Sequence, residues 1–423
     1  MAQDGLLSPT AQAQLKEIEQ ADLLVGIPSY NNARTIGHVV RAAGVGLAKY
    51  FPQVRAVIVN SDGGSTDGTP EVVAQAALDD LQAVLVRHPV TQAHRIVTPY
   101  LGIPGKGSAL RTIFGIAEAL GVKACCVVDS DLRSITPEWI ELLLRPVWEG
   151  EADYVTPLYS RHKFDGTITN SIVYPLTRAL YGQRIRQPIG GDFGFSGKLA
   201  ARYLEKPVWE TDVARFGVDI WMTITALAEG FRVCQAYLGA KIHDAKDPGA
   251  DLSAMLVQVV GSLFELMETY AEVWFPVSAS IPVPVFGFHY HVGLEPIQVS
   301  VDRMLAIFRQ GVRDLDPIWT QILEPPVFEE IQTLAAEPRE SFRFPDLLWV
   351  RTIYGFALAH HRRLLHREHL LKSLTPLYLG RTAGFFLACW DAGAAEVEEA
   401  IERLALTFET EKPSLVEAWR LKP

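Results

Sequence analysis

GKGSALRTIFGIAEALGVKACCVVDSD, residues 105–131, decides how the rest of the chain is read. Glycines flank Lys106, apolar residues recur at helical spacing up to Gly121, and an apolar run then ends in Asp129 and Asp131. A helix feeding a buried strand is part of a βαβ unit. A carboxylate is costly to remove from water, so two at the end of a core strand call for a ligand or a partner. Residues i and i+2 of an extended chain point to one side, which lets Asp129 and Asp131 face the same ligand.

The same alternation runs outward on both sides. ADLLVGIPSYN (21–31), VRAVIVNSDGGSTDGT (54–69), AVLVRH (83–88) and ACCVVDSD (124–131) read as strands. ARTIGHVVRAAGVGLAKYF (33–51), TPEVVAQAAL (69–78) and the 105–121 stretch read as the helices between them. Strand and helix at this interval predict a parallel α/β sheet covered on both faces, with ligands beyond the carboxyl ends of the strands. Tyr30 and Asn32, Asp62 to Asp67, and the acidic pair all follow predicted strand ends, so one crevice collects them.

Beyond residue 250 the pattern becomes long amphipathic helices at 251–275, 297–315, 346–374 and 395–409, interrupted by the Pro-rich stretch FPVSASIPVPVFGFHYHVGLEPIQ (275–298). The expectation is a catalytic α/β domain over 1–250 and a helical C-terminal domain over 251–423, with an extended connection near 275–298. A chain of 423 residues with net charge −10 argues against a basic nucleic-acid surface. An anionic ligand then needs local cations. The four cysteines, two of them adjacent in an apolar strand, read as core residues rather than a disulfide or zinc set. No signal pattern and no stretch of roughly 18 apolar residues suggest a membrane span, and a cytoplasmic enzyme is the expectation.

Two hard oxygen ligands after a buried strand suit Mg²⁺ or Mn²⁺, the usual means of holding a diphosphate. Lys106 between glycines at a helix start can receive phosphate on its ammonium and the backbone N–H groups. Each signal has a plainer reading. Asp129 and Asp131 also fit a turn before the helix start at Thr136 and Pro137, NSDGGSTDGT (60–69) fits a surface turn capping the helix at Pro70, and the 102–110 loop fits a flexible turn. Three such loops after three strands of one sheet are harder to dismiss together.

The ordered set VGIPSYNNARTI, VNSDGGSTDGT, PGKGSAL, VVDSD and QPIGGDFGFSG (187–197) resembles the GT-A glycosyltransferases. Among them it resembles the retaining glucosyl-3-phosphoglycerate and mannosylglycerate synthases. The likeness covers roughly residues 21–250 in motifs and the remainder in texture. It implies that Pro28, Tyr30 and Asn32 hold base and ribose, although the family more often has an acid where Asn32 stands. It further implies that Asp62 and Gly63 lie along the nucleobase and that Lys106 lies near the donor. Of the acidic pair, it makes Asp131 the direct metal ligand and Asp129 a ribose or outer contact. His243 would complete the metal site, and Lys241 and Lys246 would approach the diphosphate. Asp192 and Asp219 match polar residues that orient sugar and acceptor.

On the acceptor side the resemblance points to Asp165, Gly166, Thr167 and Thr169 in the DGTIT turn. Glucosyl-3-phosphoglycerate synthases carry an Arg where Thr167 stands, so losing a bidentate phosphate partner favours an unphosphorylated acid such as glycerate. Lys163 or Arg186 can compensate, which keeps 3-phosphoglycerate open. The implied reaction moves a hexose from a UDP- or GDP-sugar to a small acid, with Mg²⁺ or Mn²⁺ and lysines offsetting charge on the leaving group. Rival readings are a sugar nucleotidyltransferase, whose Gly-rich first loop is missing from GIPSYNNART, and a catalytically dead scaffold. An Asp-nucleophile phosphatase is disfavoured by Arg133, which stands where that motif needs Thr or Val. The apolar GFFLACW (384–390) fits either a core or a homodimer interface.

Overall fold

A computed structural model of the protein describes residues 6–76, 93–242, 252–289, 297 and 299–421. The chain divides into two compact units. The first comprises Met1–Ser160, Gln187–Lys246 and Val283–Gly293; the second comprises Arg161–Arg186, Asp247–Pro282 and Leu294–Pro423.

The first unit is built on an eight-stranded sheet in the order β10-β8-β5-β7-β4-β1-β2-β3. Its strands are β1 Leu23–Ser29, β2 Ala56–Asp62, β3 His94–Pro99, β4 Ala124–Val127, β5 Tyr154–Ser160, β7 Phe193–Ser196, β8 Val233–Ala240 and β10 Val285–Phe286. All neighbours run parallel except β7, which is antiparallel to both β4 and β5. Every residue of β1, β2 and β8 is buried, as a sheet covered on both faces requires.

Helices Ile36–Tyr50 and Pro137–Trp148 supply Ile36, Val39, Val40, Ile140, Leu143 and Leu144 to the core on one face. On the other face the helix Lys106–Ala119 presents Phe114, whose ring lies 5.3 Å from both Phe195 and Tyr203. Gly107 at its start leaves no room for a side chain, because a Cβ there would sit 1.8 Å from Val213 O. The glycines beside Lys106 thus serve close packing as well as any ligand.

The sequence-predicted strand at 83–88 falls outside the described residues, and the strand observed beside β2 is His94–Pro99. The strand predicted over 124–131 ends at Val127, so both aspartates lie in the loop after it.

The second unit is helical, with helices Leu252–Thr269, Val301–Asp314, Asp316–Ile322, Pro325–Ala336, Asp346–His361, Arg367–Ala388 and Ala394–Arg420 among the described residues. Its one described strand pair is β6 Gln183–Arg184 with β9 Ile281–Pro282. The continuous helix expected over 346–374 is two helices. Arg363 adopts φ +52, and the Leu364 N–H closes onto Ala359 O in the manner of a helix C-cap. Asp316–Ile322 and Pro325–Ala336, unmarked in the sequence reading, each begin with proline in the first turn.

Residues 161–186, placed before the boundary drawn at 250, lie in this unit. The reason is a buried cation. Arg178 is 4% exposed and pairs with Glu402 and Glu409 of the last helix. Within the Pro-rich stretch, Val285 and Phe286 extend the sheet of the first unit as β10.

Candidate functional site

In the first unit the polar residues gather at one sheet edge because of strand direction. β1, β2, β4, β5 and β8 are parallel, so Ser29, Asp62, Asp129, Tyr159 and Lys241 all sit at or just beyond their carboxyl ends. Asp192 precedes the antiparallel β7 and therefore meets the same edge from the other direction.

The centre is a network of charges. Lys106 donates to Asp129 Oδ1 at 2.8 Å and to the Gly191 carbonyl at 3.0 Å, and lies 3.2 Å from Asp219 Oδ1. Lys241 donates to Asp129 Oδ2 at 2.7 Å, to Asp192 Oδ2 at 2.8 Å and to the Gly190 carbonyl at 2.8 Å. Asp192 also accepts from the Asp129 backbone N–H at 2.7 Å and from the Tyr159 hydroxyl. Gly191 has φ +89, and a Cβ on it would fall 2.3 Å from Asp129 Oδ2. Only glycine fits between the carboxylate and the lysine.

Burial and pairing act against each other here. Burial pushes the Asp129 carboxyl up, but the two ammonium groups outweigh it and hold the carboxyl well below its usual range. For Asp192 burial prevails over Lys241, and its affinity for a proton is raised. Asp219, in the first turn of the helix Val218–Ala228, is likewise raised by burial against the pull of Lys106. Burial disfavours the Lys106 cation, yet Asp129 and Asp219 more than restore it. Among the described residues three carboxylates face two ammonium groups, so these two lysines have no surplus positive charge to hold a diphosphate.

Asp192 has no exposed surface. It touches Lys241 and the Asp129 backbone N–H, which lie at the sheet edge. Asp131 is partly exposed in the same loop, two residues beyond Asp129. That loop is tied down where Arg133 N donates to Ile242 O at 2.8 Å and Ile242 N donates to Ser134 Oγ at 2.9 Å. His243 and Lys246 lie outside the described residues.

The loops after β1 and β2 are fastened to each other and to the acidic loop. Asp62 accepts from Ser29 Oγ at 2.9 Å, Gly64 N at 2.9 Å, and Ser65 N and Oγ at 2.8 and 2.6 Å. Its carboxylate is thus occupied in shaping the turn. Asp67 does the same at the helix start, accepting from Thr69 N and Oγ1 and from Ala33 N. Asn32 Oδ1 accepts from Ser130 Oγ at 2.8 Å and from Tyr30 N at 3.0 Å, linking the first loop to the acidic pair. Pro28 is buried within β1, whereas Tyr30 is 63% exposed. Gly63 lies against the Tyr30 ring and the Tyr100 hydroxyl, each 3.1 Å from where its Cβ would stand. Gly105 N is taken by the Tyr100 hydroxyl at 2.9 Å, so that N–H is not open to phosphate.

The DGTIT turn belongs to the second unit. Gly166 has φ +64, Asp165 accepts from Gly166 N at 2.7 Å and pairs with Arg161 at 3.2 Å, and Thr169 opens a π-helical turn, Thr169–Val173. The Thr167 hydroxyl meets that of Tyr378.

Sequence reasoning singled out Lys106, Asp129, Asp192, Asp219 and Lys241, and the structure brings these five together. It passed over Tyr159 and the Gly190 and Gly191 carbonyls. Tyr159 had a signal, a hydroxyl at the polar end of an apolar strand; the carbonyls had none.

No family model matches the chain. Glucosyl-3-phosphoglycerate synthase of Petrotoga mobilis is 25% identical over 275 residues, which cover 61% of this chain and 77% of that protein. Mycobacterium tuberculosis glucosyl-3-phosphoglycerate synthase has been solved in complex with Mn²⁺, uridine-diphosphate-glucose and phosphoglyceric acid. That structure matches at TM-score 0.44 and 22% identity, over 60% of this chain and 83% of that one. The same enzyme with Mg²⁺ and uridine-diphosphate gives TM-score 0.44 and 22% identity, over 61% and 84%. The chain is similar to glucosyl-3-phosphoglycerate synthase over most of that protein's length, and its mostly parallel sheet with helices on both faces and its helical second unit agree with the architecture its motifs lead one to expect.

Proposed function

We propose that this protein is a glycosyltransferase that moves a hexose from a nucleotide-diphosphate sugar to a glycerate-type acid, with glucose as the sugar, unphosphorylated glycerate as the acceptor and retention at the anomeric carbon. The observation that carries this reading is the clamp of Asp129 between Lys106 and Lys241 at the carboxyl edge of the sheet. Such an edge is where an α/β sheet receives nucleotide, and the clamp fixes the loop that carries both aspartates there. The Petrotoga relative supports glucosyl transfer.

A divalent cation fits the donor set. Asp129 is committed to two ammonium groups; Asp131, a partly exposed hard oxygen ligand on the same loop, is the residue assigned to Mg²⁺ or Mn²⁺, with His243 as its assigned partner. When bound, the cation offsets charge on the diphosphate that two lysines already matched by carboxylates do not. The protein's own share is to fix position. Tyr159 and Lys241 hold Asp192, Asp192 holds the Asp129 backbone, and Asp129 holds both lysines toward the donor. In the retaining reading the leaving oxygen takes the acceptor proton, so no side chain serves as a base.

Unphosphorylated glycerate is supported by the state of the cations around the DGTIT turn. Lys163 donates to the carbonyls of Trp390 and Ala392, Arg186 holds Glu398 through two nitrogens, and Arg161 holds Asp165. None of the three is aimed as a bidentate phosphate clamp. The deciding experiment crosses UDP-glucose, GDP-glucose and GDP-mannose with glycerate and 3-phosphoglycerate, with Mg²⁺ or Mn²⁺, and assigns the anomer of the product by NMR. Glucosyl transfer to glycerate with retained configuration is expected. Preference for 3-phosphoglycerate would overturn the acceptor, and an inverted product the mechanism.

A further inference from the structure

Within the second unit, three contacts tie the DGTIT segment to the helix Arg367–Ala388 and the turn that follows it. Lys163 Nζ donates to the carbonyls of Trp390 and Ala392, where a cation also answers the negative end of the helix. The Phe164 ring lies 4.4 Å from that of Phe386 and 5.6 Å from that of Trp390. Thr167 and Tyr378 join their hydroxyls. Tyr378 and Phe386 are eight residues apart, two helical steps of four, so one stripe of the helix faces the turn.

The third contact is chemically unlike the others. A threonine hydroxyl has one proton and two lone pairs, and a carboxylate ligand can use only the proton. Tyr378 is 1% exposed, and burial pushes its phenol up to about 12, so it is neutral at physiological pH and has a proton to give. When Tyr378 donates to Thr167, the Thr167 proton is left for something else. We propose that Tyr378 is a positioning residue for the acceptor: its hydroxyl fixes Thr167 as a hydrogen-bond donor and thereby tunes the DGTIT turn for a small carboxylate. This rests on the proposed acceptor reading, and it gives the C-terminal helices a function, the shaping of the acceptor turn.

The test is Tyr378→Phe in the full chain, which keeps the ring in its packing and removes only the hydroxyl. The expected result is an acceptor KM raised about tenfold, the worth of one hydrogen bond to a charged group. Meanwhile kcat at saturating glycerate and the KM for nucleotide sugar should stay within about twofold, since the phenol touches neither. Thr167→Val should raise the acceptor KM similarly, and the double variant should be no worse than the worse single one, because both changes break one contact. A thermal melt of each variant checks folding. An unchanged acceptor KM in Tyr378→Phe would overturn the assignment, as would full additivity in the double variant or a matching fall in kcat. Were the wild type inactive with every donor and acid, the function itself would fall and this assignment with it; activity with an unmoved acceptor KM sinks the assignment alone.

Discussion

The ammonium of Lys241 lies 2.7 Å from Asp129 Oδ2, with only 7% of the lysine side chain exposed. The same ammonium meets Asp192 at 2.8 Å, so one buried cation holds two carboxylates that otherwise repel each other. Replacing it with an apolar chain leaves Asp192 without a cation and Asp129 with Lys106 alone. Lys241→Met should cost about 3–5 kcal/mol of stability, the usual effect of removing one partner of a buried pair. It should also lower kcat at least about tenfold, because Lys241 fixes Asp129, Asp192 and the Gly190 carbonyl in one arrangement and misplacement at a site is costly in rate. Denaturant unfolding and steady-state rates check the two separately. A variant as stable as the wild type would mean that the network is solvated in solution.

Gly191 makes that contact possible. Any Cβ there would collide with Asp129 Oδ2 and Lys241 Nζ, and its φ of +89 is strained for other residues. Gly191→Ala should therefore behave like a partial Lys241 deletion, with rate loss of at least about tenfold and a stability cost of about 1–3 kcal/mol. By contrast, Gly150→Ala, at a positive φ but with open space around its Cβ, should cost only backbone strain of about 1 kcal/mol and leave the rate alone.

How much of this was legible beforehand depended on whether a residue's partner was local. The acidic pair could be read because an apolar strand ended in it, and Lys106 because a helix began there. Lys241 and Asp192 came only through resemblance, since the antiparallel entry of β7 that turns Asp192 toward Lys241 leaves no periodicity in the sequence. Tyr159 and the two glycine carbonyls depend on three segments meeting at one sheet edge. The same holds for residues 161–186: the helix Tyr174–Tyr181 looks like one more α/β element until Arg178 is seen paired with Glu402 and Glu409. The break at Arg363 was hidden because nothing about an arginine announces a left-handed turn.

Asp129 and Asp131 should separate by experiment, although a motif treats them as equals. Asp129→Asn halves the countercharge for two lysines and should destabilise the fold while it lowers activity. Asp131→Asn, in the partly exposed loop, should cost less stability than Asp129→Asn and raise the Mn²⁺ concentration for half-maximal activity at least about tenfold. Equal loss of stability in both variants would place Asp131 in the structural network rather than at the metal.

The second unit carries its own titration. Lys412 is 4% exposed, and its ammonium donates to Val277 O at 2.5 Å. Burial pushes its pKa down to about 8 from an ordinary 10.5, against the opposing charge of Glu409. Between those values the unfolded chain binds the proton more tightly than the folded one, so stability from this group rises with pH from about 8 to 10.5 and is flat below 8. Other lysines and tyrosines titrate in the same window, so the comparison must be with Lys412→Met. The wild type should gain stability relative to that variant between pH 7 and pH 10, by less than about 1.4 kcal/mol per pH unit, the limit for one proton. Urea unfolding of both proteins at the two pH values reads this difference directly. A difference that stays constant, or that shrinks as pH rises, would mean that Lys412 keeps its ordinary affinity for the proton and that water reaches its ammonium beside Val277.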